Sequence, residues 1–495
     1  MKRITIFLLL AIVLHNLTGC TPPEPAEPIV FTSFELLKDN NPQGVISTVK
    51  LEVGEGTTEY VSPLIINPSE LVVNFATDRP ATVYVGDVEQ VSGQSANDFT
   101  TPVTYRLVDD EGVSSEYVVS LGNTGLPVVV IATPSSQVIP PKTADWLAGT
   151  QLQIYNPQGE LLYDEEVNIR GRGNSTWNFP KKPYALKLNK KASILGMPAH
   201  KRWVLLANWL DRTLLRNDVA FRIAELTGLG WTPRGEFVEV VLNGRHKGNY
   251  YLCEQIKVDE NRVNIAELDD ADPSGGYLME LDVYFDETYK FHSPRYNMPY
   301  MFKDPDEVSD AQFAYFEGYV AELEEALWDD ERFAVREYAD YLDVDSFVDY
   351  WFVFELSMNS EPFHPKSVYM HKDRGGLLKA GPVWDFDWET FVPDKANGYV
   401  VKESLYYGRL FEDEAFVARV KERWAELKPL FESVPGYIDA RAEQIALSEG
   451  FNHTMWPITE VVNSDESMTF EEAVARMKNA YSAKLKWLNK KISEM

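Results

Sequence analysis

The 495-residue chain carries 47 basic against 76 acidic residues, a formal net charge of −29. Such an excess repels nucleic-acid phosphate and anionic membrane faces, so any phosphate it binds needs a local basic exception. The length exceeds one ordinary core, at roughly 100–200 residues per domain, and 44% apolar with 13% aromatic residues excludes a disordered chain.

The start, "MKRITIFLLLAIVLHNLTGC", has a basic end, then an apolar run too short for a stable span of about 20 residues, so residues 1–19 read as an export leader. Its end resembles a bacterial lipobox, in which Cys20 is lipidated and becomes the new N-terminus. A protein processed in this way is an exported lipoprotein of the cell envelope, at the outer membrane or cell surface, held to the membrane only by its N-terminal lipid. Residues 20–28 form a Pro-rich acidic spacer, "TPPEPAEP", which favours an extended chain. Cys253 is the only other cysteine, so the processed protein has no disulfide available, and its setting between Leu252 and Glu254 reads as a small buried apolar residue.

Residues 29–123 show short alternating runs broken by turn residues, "STVKLEVG", "SELVVNFA", "ATVYVGDV", "VTYRLVDDEG" and "EYVVSLGN". Period-two alternation at this spacing predicts an all-β, Ig-like antiparallel sandwich. It resembles the small β-sandwich domains at the front of many surface lipoproteins, and its role would be that of a spacer.

From residue 126 to about 302 strands and a helix mix, which predicts an α+β lobe. Strands are expected at "LPVVVIA", "LQIYNP", "EEVNIRGRG", "YALKLN", "RWVLLAN", "EFVEVVLN", "GNYYLCEQI" and "GGYLMELDV", with a helix over "DRTLLRNDVAFRIAELTG". Residues 310–495 read as mainly helical. "SDAQFAYFEGYVAELEEALWD", "DVDSFVDYWFVFELSMN", "EDEAFVARVKERWAELKPLFE" and "TFEEAVARMKNAYSAKLKWLNKK" each show apolar residues at i, i+3 and i+4, so each is expected to bury one face.

Two clusters could carry chemistry. "GPVWDFDWE" sets Asp385 and Asp387 two positions apart among residues that favour burial. In an extended segment their carboxylates share one side and repel, which a hard divalent ion such as Mg²⁺ resolves. The same spacing also suits one aspartate capping a turn while the other meets an arginine. The basic counterweight is "NIRGRGNSTWNFPKKPYALKL", with Arg170, Arg172, Lys181, Lys182 and Lys187. Gly171 and Gly173 there would let backbone N–H groups approach an anion, although the spacing fits no common nucleotide loop. "NST" would be a glycosylation acceptor only in a eukaryotic secreted chain. Downstream, "NWLDRTLLRND" adds Arg216, and Lys187 with Glu254 is a candidate for the lysine–glutamate pair that fixes an ammonium against phosphates.

In order, "RGRGNSTW", "KKPYALKL", "LLANWLDRTLLRN", "GNYYLCEQI", "GGYLMELD" and "GPVWDFDW" resemble the spore-coat protein H (CotH) kinase family over roughly residues 126 to 430. The resemblance implies that residues 126–495 form an atypical protein-kinase-like domain. It further implies ATP and Mg²⁺ as cofactors, transfer of the γ-phosphoryl group to serine of a protein substrate, and Asp385 as the metal-binding aspartate, with Asp387 its neighbour. In the family's catalytic segment an aspartate is expected where "LSMNSEPFHPKSVYMHKD" has Glu361, and Ser367 holds the downstream position. The carboxylate is kept but moved by one methylene, and shifts near 1 Å can cost about a hundredfold in rate, so the departure bears on turnover more than on binding. His364, between Phe363 and Pro365, reads as a turn residue that could assist proton transfer.

Two functions follow. In one, Arg170, Arg172, Lys182, Lys187, Arg216 and Glu254 form the nucleotide site, Asp385 and Asp387 hold Mg²⁺, and Glu361 orients or deprotonates the acceptor hydroxyl. In the other, the kinase fold is catalytically degenerate and serves adhesion, envelope assembly or glycan capture through its aromatic residues.

Overall fold

The computed structural model describes residues 27–54, 56–269 and 271–495. The leader and Cys20 lie outside the described residues. Within them no helix is long and apolar enough to cross a membrane.

The N-terminal region is strand-rich, as its alternation predicts. In Val103–Val108 the inward residues are Val103, Tyr105 and Leu107, and Phe34, Phe99 and Tyr117 meet them in one core. Strands Val49–Leu51, Phe31–Leu36 and Asn74–Thr77 form one sheet; Gly56–Val61, Ser114–Gly122, Val103–Val108, Thr82–Val85 and Val88–Glu89 form another. One pairing departs from the antiparallel expectation, since Gly56–Val61 runs parallel to Ser114–Gly122. The chain leaving Val49–Leu51 changes sheets instead of turning back as a hairpin, so it arrives along the second sheet's edge in the same direction as its neighbour. Ile66, Val128 and Val241 join this region to the next.

Seven strands then close a barrel, which the sequence reading of a mixed lobe did not foresee. They are β1 (Val128–Ala132), β2 (Leu147–Tyr155), β3 (Leu161–Gly171), β4 (Tyr184–Ile194), β5 (Met197–Leu206), β6 (Gly235–Leu242) and β7 (Arg245–Glu254), in the order β1-β2-β3-β4-β5-β7-β6. Six neighbouring pairs are antiparallel, and the parallel contact of β1 with β6 closes the ring. Closure leaves no unpaired edge. Ile131, Leu152, Ile169, Leu186, Leu205, Val240 and Leu252 fill the core.

Between β5 and β6 lies α1 (Arg216–Glu225), shorter at its start than expected. Asp211 explains this: its carboxylate accepts from the Thr213 amide (2.9 Å) and the Arg216 amide (2.8 Å), holding residues 211–215 in a turn that precedes the helix.

A second sheet follows, with β8 (Tyr277–Leu281), β9 (Lys290–His292), β10 (Pro299–Asp304), β11 (Val368–Lys372) and β12 (Leu378–Ala380) in the order β9-β10-β8-β11-β12. Long helices complete the C-terminal part: α2 (Asp310–Trp328), α3 (Val344–Ser357), α4 (Glu414–Phe431), α5 (Val434–Met455) and α6 (Phe470–Glu494). Helix α3 corrects the one-face expectation, because every residue from Ser346 to Ser357 is buried. Its two buried acids are both satisfied: Glu355 by the Lys484 ammonium (2.6 Å) and the amides of Val400 and Val401, and Asp349 by Arg423 (2.7 Å).

Candidate functional site

A cleft of about 720 Å³ opens between the barrel and the second sheet. Arg170 and Arg172 line it from the end of β3, Arg202 from β5, Glu280 from β8 and Lys303 from β10. The segment after α3 contributes Glu361, Lys366 and Ser367, and the loop after β12 contributes Asp385 and Asp387.

The acidic loop is built from its buried neighbours. Trp384 stacks on Phe221 with ring centroids 5.7 Å apart, and Phe386 meets Phe354 at 5.2 Å, so alternate residues anchor in the core while the aspartates turn toward the cleft. The segment is not the extended strand the spacing suggested: Asp385 has φ of +68°, and the chain is irregular from Gly381 to Phe386. Amide side chains fix it instead. Asn217 accepts from the Phe386 amide (2.8 Å), Asn359 donates to the Asp385 carbonyl (3.4 Å), and Asn463 donates to the Asp387 carbonyl (3.0 Å). These latches act on the backbone and not on the carboxylates, and in the cleft the Ser367 hydroxyl donates to Asp385 Oδ2 (3.4 Å).

Glu361 enters from the end of α3, where Met358 adopts a left-handed conformation (φ +58°) and Asn359 accepts from the Glu361 amide (2.8 Å). Its Oε2 is buried with no hydrogen-bond partner. Burial, with the charges of Asp385 and Asp387 close by, pushes the Glu361 carboxyl up to about 10. Burial and Asp385 push Asp387 up to about 8. Asp385 is also raised, mainly by burial, although the Arg172 cation opposes the rise. Asp282 is pushed up by burial to about 6. An orphaned carboxylate oxygen beside two more unneutralised acids fits a divalent cation. Among the described residues no three such side chains converge to hold a metal alone, so Asp385 and Asp387 would hold it together with ligand oxygens.

Arg170 and Arg172 face this loop within the same cleft. Arg172 lies over the Trp384 ring at 5.2 Å, while Arg170 and Arg202 both lie against Trp146, at 4.4 and 4.8 Å. Gly171 serves differently from the expectation, whereas Gly173 lines the cleft with a left-handed backbone (φ +82°). The Gly171 amide donates to the Pro140 carbonyl (2.7 Å) and the Arg172 amide to Pro183 (3.3 Å), so neither is free for an anion. A Cβ on Gly171 would lie 2.4 Å from the Trp177 ring, and the residue is small to admit that ring.

Four predicted nucleotide-site residues lie elsewhere. The Lys182 ammonium donates to the Trp177 carbonyl (2.7 Å), and Lys187 is exposed on β4 beyond the cleft. Arg216 is fully buried between Asp211 and Asp465 and donates to the Thr390 carbonyl (2.9 Å). Glu254 is held bidentately by Arg234, both contacts at 2.9 Å, and so does not pair with Lys187. The lysine that does meet glutamate in the cleft is Lys303, 3.0 Å from Glu280 and 2.5 Å from Glu287. Sequence reasoning missed it because Glu280 and Lys303 stand singly in apolar strands, and it missed Arg202 and Lys366 because neither belongs to the basic run around Arg170–Lys187. His364 is an exposed turn residue outside the cleft, and Cys253 is buried with its thiol raised by burial.

Arg216 and Arg172 should therefore behave oppositely. Arg216→Ala strips Asp211 and Asp465 of their counter-charge and should cost about 3–5 kcal/mol of stability in urea unfolding. Arg172→Ala should leave the unfolding midpoint nearly unchanged.

Lys181 is a further buried cation in the cleft wall, donating to the carbonyls of Ala207 (2.7 Å) and Asn249. Burial pulls it down to about 7 from an ordinary 10.5. Between those values the unfolded chain binds the extra proton, so stability rises with pH there, and the cost of the buried charge is fully present only below about 7. The stability difference between wild type and Lys181→Met should move in favour of wild type above pH 7, by at most about 1.4 kcal/mol per pH unit. A difference flat from pH 7 to 10 would contradict this.

The geometry defines a barrel-and-helix protein in which an arginine wall faces an acidic loop across one cleft. The chain belongs to the CotH kinase family: the family model described as CotH kinase protein matches residues 169–488. No curated protein matches the chain. Among solved structures it is similar to a candidate glycoside hydrolase from Bacteroides thetaiotaomicron, at 17% identity over 37% of this chain and 53% of that one, with a TM-score of 0.16. The chain thus spans about half the length of that protein, and the likeness carries no argument.

Proposed function

We propose that the protein is a phosphotransferase that moves the γ-phosphoryl group of ATP to a hydroxyl of a protein substrate. The observation that carries this reading is the shared cleft, in which Arg170 and Arg172 face Asp385, Asp387 and the orphaned Glu361. The arginines would grip the phosphates by charge-assisted hydrogen bonds. A bound Mg²⁺ would neutralise charge on the transferred phosphoryl group. Once Asp385 and Asp387 are neutralised, the Glu361 carboxyl can ionise and accept the acceptor's proton. The acceptor oxygen then bonds to the γ-phosphorus as the bond to the bridging oxygen breaks, and ADP leaves. Positioning and charge neutralisation would supply most of the rate.

The atypical kinase-like fold of residues 126–495, the Ig-like spacer of residues 29–123 and the lipid anchor on Cys20 belong to the same proposal. The leader sequence and the alternating N-terminal strands support them. Purified protein incubated with γ-labelled ATP and Mg²⁺ tests the reading. Label on the protein or on a generic acceptor supports it, whereas nucleotide binding without transfer favours the degenerate surface protein.

A further inference from the structure

Five lysines line the main cleft: Lys142, Lys181, Lys257, Lys303 and Lys366. All but the last are engaged within the protein. Lys142 donates to Asn174 and stands 3.8 Å from Asp286, and Lys181 donates to the Ala207 and Asn249 carbonyls. Lys257 stands 3.5 Å from Asp304, and Lys303 pairs with Glu280 and Glu287. Among the described residues the Lys366 ammonium makes no hydrogen bond or ion pair, and it lies over the Tyr284 ring, 5.5 Å from the centroid.

The backbone on both sides fixes the place of this free charge. The Pro365 carbonyl accepts from the Val283 amide (2.8 Å), and the Ser367 amide donates to Asp282 Oδ2 (3.4 Å). The Ser367 hydroxyl is turned to Asp385, so Lys366 projects from a latched segment between the acids. Its cation opposes the upward push on both Glu361 and Asp385. In the protein-kinase segment H-R-D-x-x-x-x-N the final asparagine holds a second Mg²⁺. Glu361 and Lys366 stand at the spacing of that aspartate and asparagine. An ammonium has no lone pair to offer a metal, and its charge repels one.

We propose that Lys366 is the second cation of this site, donating to an oxygen of the γ-phosphoryl group of ATP, so that a single divalent ion serves where other kinases hold two. The inference rests on the phosphotransferase reading and names the chain's own contact with the group that moves. The ammonium keeps its protons and forms no covalent bond. Its part is to neutralise charge on the phosphoryl oxygens from the side of the acceptor's acid, Glu361, facing the arginine wall.

Counting bound Mn²⁺ by electron paramagnetic resonance, on the full chain saturated with an ATP analogue that cannot transfer its terminal group, tests the proposal. The expected result is one Mn²⁺ per bound nucleotide in wild type and two in Lys366→Asn, which removes the ammonium and supplies a carbonyl oxygen. Lys366→Met keeps the apolar stem and should weaken ATP binding about tenfold or more, the worth of one hydrogen bond to a charged group, with ADP binding unchanged. Its urea midpoint should match that of wild type, because no partner inside the protein is lost. Two Mn²⁺ per nucleotide in wild type, or equal losses of ATP and ADP affinity in Lys366→Met, would overturn the proposal and leave the phosphotransferase reading standing. A wild-type chain that binds no nucleotide would overturn both.

Discussion

Asp385→Asn is expected to abolish Mg²⁺-dependent nucleotide binding and to lower phosphoryl transfer by about 10²–10³-fold, the loss typical of removing one preorganised electrostatic group. Asparagine keeps the size of the side chain, and the Asn359 contact goes to the Asp385 carbonyl, so the loop itself should be retained. What disappears is the negative charge that Arg172 and Lys366 sense across the cleft. Nucleotide-induced thermal stabilisation, compared with and without Mg²⁺, reads the effect directly. Equal stabilisation in wild type and variant would remove Asp385 from the site.

Glu361→Gln should separate chemistry from stability. Glutamine cannot accept a proton, so transfer should fall by about 10²–10⁴-fold, with Mg²⁺-nucleotide binding kept. The folded-state value of Glu361, about 10, lies above its ordinary 4.5, so the folded chain binds the extra proton between them and stability falls as pH rises through that window. Glutamine is free of this cost. The variant should be more stable than wild type near pH 7 by about 1 kcal/mol or more, with the gain fading as pH drops toward 4.5. A variant less stable at pH 7 would mean that the Glu361 carboxylate has a partner in the folded protein.

The strands of the barrel were legible in the sequence because each alternates in period two or runs apolar, and the four helices with strong apolar spacing were legible for the same reason. Closure was not, because it depends on β1 pairing with β6 over a hundred residues away, which leaves no local mark. Helix α5 escaped because Pro435, Gly436 and Gly450 interrupt it and its apolar residues form no clean stripe. Within the site, the paired aspartates stood out against their aromatic frame, and Arg170 and Arg172 stood out against the acidic chain. Arg216, Glu254 and Lys187 read as members of the same cluster because sequence shows charge but not direction. Arg216 points into a closed ion pair, Glu254 into Arg234, and Lys187 into solvent.

In the proposed reaction the acids of the loop and the arginines of the opposite wall are joined through a divalent cation and a polyphosphate. Paramagnetic Mn²⁺ titration, with and without ATP, measures that coupling. The expected result is weak Mn²⁺ binding alone, binding tightened at least tenfold by ATP, and loss of the tightening in Asp385→Asn and Arg172→Ala alike. ATP affinity that is the same with and without the metal would contradict it.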